Sequence, residues 1–227
     1  MGRRQKIVMR LAAFLSLIRW THIAFIAYAQ LVIGLGVTGT HDIWYQGLFH
    51  LDFIGLIIST GFIVAAGSLV NSFYDLERDL TVRPWRTLFE RPVARKYGAS
   101  IATWSLAAGM IAALFLLPKP LTIAMFAYAG LIWLYSHKQW SQTPWGALVA
   151  TVLAFYPLLL MVPLDWHSAW EPFQASLPYG VLLFLIEWRR QHERLHVVMP
   201  PSRAYHQRQW TYKAILTIGV LALPFIV

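Results

Sequence analysis

The 227-residue chain has no cysteine, so disulfides, thiolate metal centres and cysteine nucleophiles are all excluded. Charge is also scarce: only 13% of residues are Asp, Glu, Lys or Arg, about half of what a soluble domain carries. Acidic residues are rarer still, 10 against 19 Lys and Arg, giving a net charge of +9. No Ser-His-Asp, zinc or nucleotide-loop pattern is present, and no short repeat, heptad run or low-complexity tract. What fills the space is apolar: 58% hydrophobic residues at a mean hydropathy of +0.53. Several separate apolar runs are long enough to cross a bilayer, which implies a polytopic, all-α membrane protein. Excess Lys and Arg in such a chain orients it in the membrane, so nucleic acid is not expected as a partner.

The runs divide the chain into about seven predicted spans: Trp20–Val37, Leu51–Tyr74, Ser100–Leu117, Leu121–Tyr135, Trp145–Val162, Leu177–Trp188 and Ala214–Val227. Residues 1–227 read as one integral membrane domain. Residues 1–19 form a basic cytoplasmic or interfacial lead-in, broken by Arg10 and Arg19, so it is not a signal peptide. Lys6 also departs from the myristoylation pattern. Gly39–Asp42 is a predicted turn, and Pro118-Lys119-Pro120 a sharper one. The segments Arg83–Lys96, Asp165–Glu171 and Arg189–Gln209 read as loops. On this layout every Lys and Arg except Lys119 falls on the side of the N-terminus, which is therefore expected to be cytoplasmic, in a bacterial inner membrane. Trp44, Tyr45, Trp166 and Trp170 would form the outer aromatic belt. Trp20, Trp140, Trp145, Trp188 and Trp210 would form the inner one.

One stretch stands out, Asn71-Ser-Phe-Tyr-Asp75-Leu-Glu-Arg-Asp79, closing a run uncharged from Ile54 to Val70. Asn71, Asp75 and Asp79 are spaced i, i+4, i+8 and share one face of a helix. Gly67, a turn earlier, lets a ligand or another helix approach the backbone. Three hard oxygen donors in a row suit Mg²⁺ shared with phosphate. The competing reading is an acidic helix end paired with Arg78, Arg83 and Arg86 at the headgroup level. Carboxylates at a membrane boundary favour a functional role. Gly61, Ala65 and Ser68 fall at helix-contact spacing and read as tight packing. Of the eight histidines, only His22 falls within a span, so no bis-His haem site is expected.

This stretch, with Arg83-Pro84-Trp85-Arg86 after it, resembles the first signature of the UbiA superfamily of intramembrane prenyltransferases. Leu134-Tyr135-Ser136-His137-Lys138, with Gly146 opening the next helix, looks like that family's loop after its fourth helix. Leu17-Ile18-Arg19 also has its usual place. The resemblance runs from about Leu17 to the sixth span. It implies a shortened UbiA-type bundle around an apolar tunnel with a polar cytoplasmic mouth. The substrate would be an isoprenoid diphosphate held on Mg²⁺, with the prenyl chain passed to a quinone-precursor, pigment or lipid acceptor. Asn71, Asp75 and Asp79 would hold the metal, Asp75, Asp79 and Tyr135 would serve catalysis, and Arg83, Arg86 and Lys138 would contact the diphosphate.

Two departures temper that implication. Ser72 stands where the signature has its second aspartate. The second aspartate-rich motif reads Glu187-Trp-Arg189-Arg190-Gln-His192-Glu193-Arg194, in which Glu187 and Glu193 are six residues apart and diverge on a helix. One Mg²⁺ at most is then expected, with Arg189 and Arg190 taking over diphosphate oxygens from the lost second ion. Two readings follow. One is a catalytically degenerate protein, an isoprenoid- or lipid-binding accessory subunit partnered by other membrane proteins. The other is an active Mg²⁺-dependent prenyltransferase.

Overall fold

The computed structural model describes residues 8, 12, 13, 15, 17–38, 50–74, 84–138, 140, 143–162, 166–196 and 202–226. Among them are seven helices and no strand: α1 Trp20–Thr38, α2 Leu51–Tyr74, α3 Pro84–Leu116, α4 Lys119–His137, α5 Gly146–Leu159, α6 Trp166–Leu195 and α7 Arg203–Ile226. Each predicted span coincides with a helix, and α2 matches to the residue. By length and composition, Leu51–Tyr74 and Lys96–Leu116 each suffice to cross a membrane, and Trp20–Gly34 and Gly146–Leu159 are shorter apolar helices. The turn at Gly39–Asp42 and the belt residues Trp44 and Tyr45 lie outside the described residues, as does the side-chain placement of Trp166 and Trp170. Of the expected inner belt, Trp20, Trp145, Trp188 and Trp210 are exposed and Trp140 is half-buried.

Three expected loops are corrected. The basic segment is helical from Pro84, the sixth helix begins at Trp166, and it continues to Leu195 before α7 opens at Arg203. Charge marks where the apolar solvent ends, but it does not end a helix. The intrahelical bonds continue into water, and Arg and Glu are good helix formers. On α6 the i,i+3 pair Glu187–Arg190 and the i,i+4 pair Arg189–Glu193 add to the continuation.

α2 is the hub of one half, packed against α1, α3 and α4, while α1 also touches α5, α6 and α7. Glycine permits the closest approaches. A Cβ built at Gly55 would meet Leu116 Cβ at 2.5 Å, and one at Gly109 would meet Ile63 at 2.9 Å and the Ser59 carbonyl at 3.1 Å. Gly67 meets the Ile132 side chain, so of the two occupants expected there it is the neighbouring helix α4 that fills the space. Ala65 and Ser68 are buried as well, in keeping with tight packing. The core these contacts enclose is apolar, with Leu56, Ile63, Ala113, Leu121, Met125, Tyr128 and Ala129 at its centre.

The turn between α3 and α4 is held by one hydroxyl. Pro118 is extended (φ −64°, ψ 152°) and Pro120 sits in the first turn of α4. Thr122 Oγ1 lies 3.0–3.2 Å from the carbonyls of Ala113, Leu117 and Pro118, which cluster where α3 gives way to α4. At the other end of the bundle Arg19 has a left-handed φ of 52°, and its carbonyl accepts from His22 N and Ile23 N to open α1. A non-glycine residue in that region is strained by about 1–3 kcal/mol, so the surrounding contacts must fix it. They come from Leu17 and Ile18, which pack on Leu69 and Val70 of α2 and on Ala102 and Ile101 of α3.

Candidate functional site

One end of the bundle collects the residues that the sequence singles out. The packing of Leu17 and Ile18 on Leu69 and Val70 brings the start of α1 to the end of α2. Tyr74 Oη and His137 Nδ1, 2.9 Å apart, join the end of α2 to the end of α4. The ring of His137 stands edge-on to Tyr74 and stacks on Trp133. The charges of Arg19, Arg190, Arg194 and Lys213 are all close enough to act on His22, so the end of α6 and the start of α7 belong to the same region. Among the described residues, apart from Glu187 and Glu193, the charge assembled here is positive.

Asn71 is the one member of the three-residue stripe that is placed, half-buried on the last turn of α2. Asp75, Asp79 and Arg83 lie outside the described residues, and Arg86 is placed on the backbone of α3 without its side chain. Tyr135 is half-buried and packs against the core cluster. Ser136 is buried and bonds back to the Ile132 carbonyl at 2.9 Å, while Lys138 caps α4 and is exposed. Beneath them, Ala66, Gly67, Val70, Leu106, Ile132, Trp133 and Ser136 line an apolar crevice between α2, α3 and α4 that is too narrow to hold a water molecule.

The α6 side is built differently. Glu187 is only 4% exposed. Its two oxygens accept from Arg190 Nη2 at 2.6 Å and Arg190 Nε at 2.7 Å, a two-point fork, and Gln191 Nε2 adds a third bond at 2.7 Å. A carboxylate so enclosed is neutralised in place. Glu193 is served separately. Tyr212 donates to it at 2.9 Å and Arg208 Nε at 3.3 Å, and Arg189 lies at 3.7 Å. The expected divergence of the two glutamates therefore holds, each with its own arginines. Arg189 Nε also donates to Tyr212 Oη at 3.2 Å; that bond, with Glu193 nearby, pushes its guanidinium above the ordinary arginine value and keeps it cationic. These partners across α6 and α7 were not legible in the sequence, because Tyr212 and Arg208 belong to the next helix.

A second polar centre lies deep in the bundle. Gln30 of α1 is fully buried; its Nε2 donates to Thr60 Oγ1 of α2 and to the Pro157 carbonyl of α5, both at 3.2 Å. Pro157 has no N–H, so it leaves the Leu153 carbonyl without its helical partner. Tyr128 of α4 supplies the missing donor at 3.2 Å, and its ring stacks on Tyr156, whose hydroxyl bonds the Ala124 carbonyl at 2.9 Å.

The model of the UbiA prenyltransferase family matches residues 31–227. A solved structure described as digeranylgeranylglyceryl phosphate synthase in membranes superposes with a TM-score of 0.60 at 15% identity. The match covers 96% of this chain and 98% of that one, so the two share a fold over nearly their whole extents. No curated protein matches in sequence.

Proposed function

The chain belongs to the UbiA prenyltransferase family and is a helical membrane protein, and from that premise we propose that it is an isoprenoid- or lipid-binding accessory subunit of a larger membrane complex, its transfer chemistry lost or strongly reduced. The observation that carries this reading is the state of Glu187. At the place of the second aspartate-rich motif, its carboxylate is buried and already held by Arg190 and Gln191. A divalent ion there would have to displace Arg190 and then sit beside Arg189 and Arg194. The α6 residues therefore do not fit a second Mg²⁺.

The α2 donor set does fit one ion by its chemistry, since Asn71, Asp75 and Asp79 offer hard oxygens. When bound, Mg²⁺ would supply charge neutralisation for a diphosphate. The chain's own groups would do the rest. Arg83, Arg86 and Lys138 would bind phosphate oxygens. Arg189 would add a permanent cation, and Arg190 would add the N–H donors it does not spend on Glu187. The site opens on the basic end of the bundle, which we assign to the cytoplasmic side of a bacterial inner membrane on its Lys and Arg content.

The alternative, an active transferase using one Mg²⁺, draws support from the joined ends of α2 and α4, where the Tyr74–His137 contact links the helix of Asn71 to that of Tyr135. Two experiments separate the readings. If the purified chain transfers a labelled prenyl group with Mg²⁺, and Asp75→Asn abolishes transfer, the accessory reading fails. If native mass spectrometry of the chain from its own membrane finds stoichiometric partners, and Asp75→Asn leaves that complex working, the transferase reading fails.

A further inference from the structure

The end of α6 overturns one expectation from the sequence, that no zinc pattern is present. Residues 192–196 run His-Glu-Arg-Leu-His, the two-histidine spacing of helical zinc sites. They close α6, and His196 N still donates to the His192 carbonyl at 3.1 Å, so helical spacing holds through His196. At i and i+4 both imidazoles leave the helix on one face. Their rings lie 4.3 Å apart at 29° to each other, and both residues are exposed. His196 Nδ1 is 3.0 Å from the His192 carbonyl. A carbonyl only accepts, so in the neutral ring Nδ1 carries the proton and Nε2 keeps its lone pair for an ion. A backbone bond on the second ring nitrogen is the support that metal-bound histidines have.

The charges nearby do not exclude a cation. Arg190 is offset by Glu187, and Arg189 and Arg208 share Glu193. Arg194 is two residues from each histidine, about 200° round the helix, so it leaves from the opposite face. Its charge acts on His22 of α1. Imidazole nitrogen suits Zn²⁺, Ni²⁺ or Cu²⁺, whereas Mg²⁺ prefers oxygen. No third His, Cys, Asp or Glu among the described residues joins the pair, so water would fill the other positions on the ion. A zinc protease with this spacing uses the intervening glutamate as its general base. Here Glu193 is turned to α7, held by Tyr212 at 2.9 Å and Arg208 at 3.3 Å. We infer that His192 and His196 bind one zinc-class divalent ion on the exposed face of α6, where it pins the helix end and does no hydrolysis. The inference does not rest on the proposed function, whose oxygen donors lie on α2.

The test uses the full chain without a polyhistidine tag, in detergent, stripped with a chelator and then held in excess Mg²⁺ to occupy hard oxygen donors. Equilibrium dialysis against ZnCl₂ should find one Zn²⁺ per chain. With Cu²⁺ in its place, electron paramagnetic resonance should show coupling to two imidazole nitrogens. His192→Ala and His196→Ala should each weaken Zn²⁺ binding by at least the roughly 10–100-fold that loss of a supporting group costs, and leave a single nitrogen coupled. Both positions are exposed and alanine is the best helix former, so these variants should fold. Zn²⁺ should also raise the thermal midpoint of the unmodified chain and of neither variant. His206→Ala, an exposed histidine on α7, should bind as the unmodified chain does. Zn²⁺ affinity unchanged in both α6 variants, or no uptake in excess Mg²⁺, overturns the inference. An equal loss in His206→Ala overturns the two-histidine assignment as well.

Discussion

Glu187 shows how a single residue's meaning is decided by what encloses it. As a letter in the chain it is a carboxylate near the second motif, with arginines following it. In the fold its side chain is 6% exposed and that of its partner Arg190 13%, so both are largely desolvated. Removing one member of a buried ion pair leaves the other charge uncompensated, at a cost of roughly 3–5 kcal/mol. Glu187→Ala should therefore lower thermal stability in detergent by about that amount. The double variant Glu187→Leu/Arg190→Met should recover most of it, since an apolar pair of similar volume carries no buried charge. Unchanged stability in Glu187→Ala would mean that the carboxylate is not enclosed and is free for a metal. Arg189, two residues on from Glu187, is exposed and paired with Tyr212 and Glu193. The same residue type at neighbouring positions thus has opposite duties, and only burial distinguishes them.

At the scale of helices, apolar runs located all seven elements because hydrophobic length is the dominant constraint in a bilayer. They misplaced the start of α3, both ends of α6 and the start of α7, because the run records where lipid stops and not where the backbone bonds stop. The proline in α5 is a further case. Pro157 removes one helical N–H, but the Leu153 carbonyl it frees is taken by Tyr128 from α4. That coupling is measurable as a cycle. Tyr128→Phe should destabilise the chain by about 1–3 kcal/mol, leaving a buried carbonyl unmet. In a Pro157→Ala background, where residue 157 regains its N–H, the same change should cost less than half as much. Equal costs in both backgrounds, read from denaturant titrations, would show that the tyrosine acts only through packing. Gly67 belongs to this scale as well: its place on the stripe with Asn71 was plain, while the identity of its neighbour, Ile132, required α4 to be set against α2.

Across the whole molecule, the positive charge gathers at one end, where the start of α1, the ends of α2, α4 and α6 and the start of α7 meet. Lys119 lies at the opposite end, in the α3–α4 turn. The orientation assigned to this asymmetry has a direct check, since the chain has no native cysteine to remove. In intact cells, Lys119→Cys should react with a membrane-impermeant maleimide, and Lys138→Cys only after permeabilisation. The reverse pattern would invert the bundle and move the candidate site to the outer face. The membrane class, the helix count and the family could be read from the chain alone. Each depends on local composition or on spacing within one helix, which periodicity and hydropathy preserve. The pairing of Glu187 with Arg190, the Arg189–Glu193–Arg208–Tyr212 network, the rescue of Leu153 by Tyr128 and the bonds of Gln30 to Thr60 and Pro157 were decided only by tertiary packing. Every one of them depends on which side chains lose water together, and that is fixed when separate helices come into register.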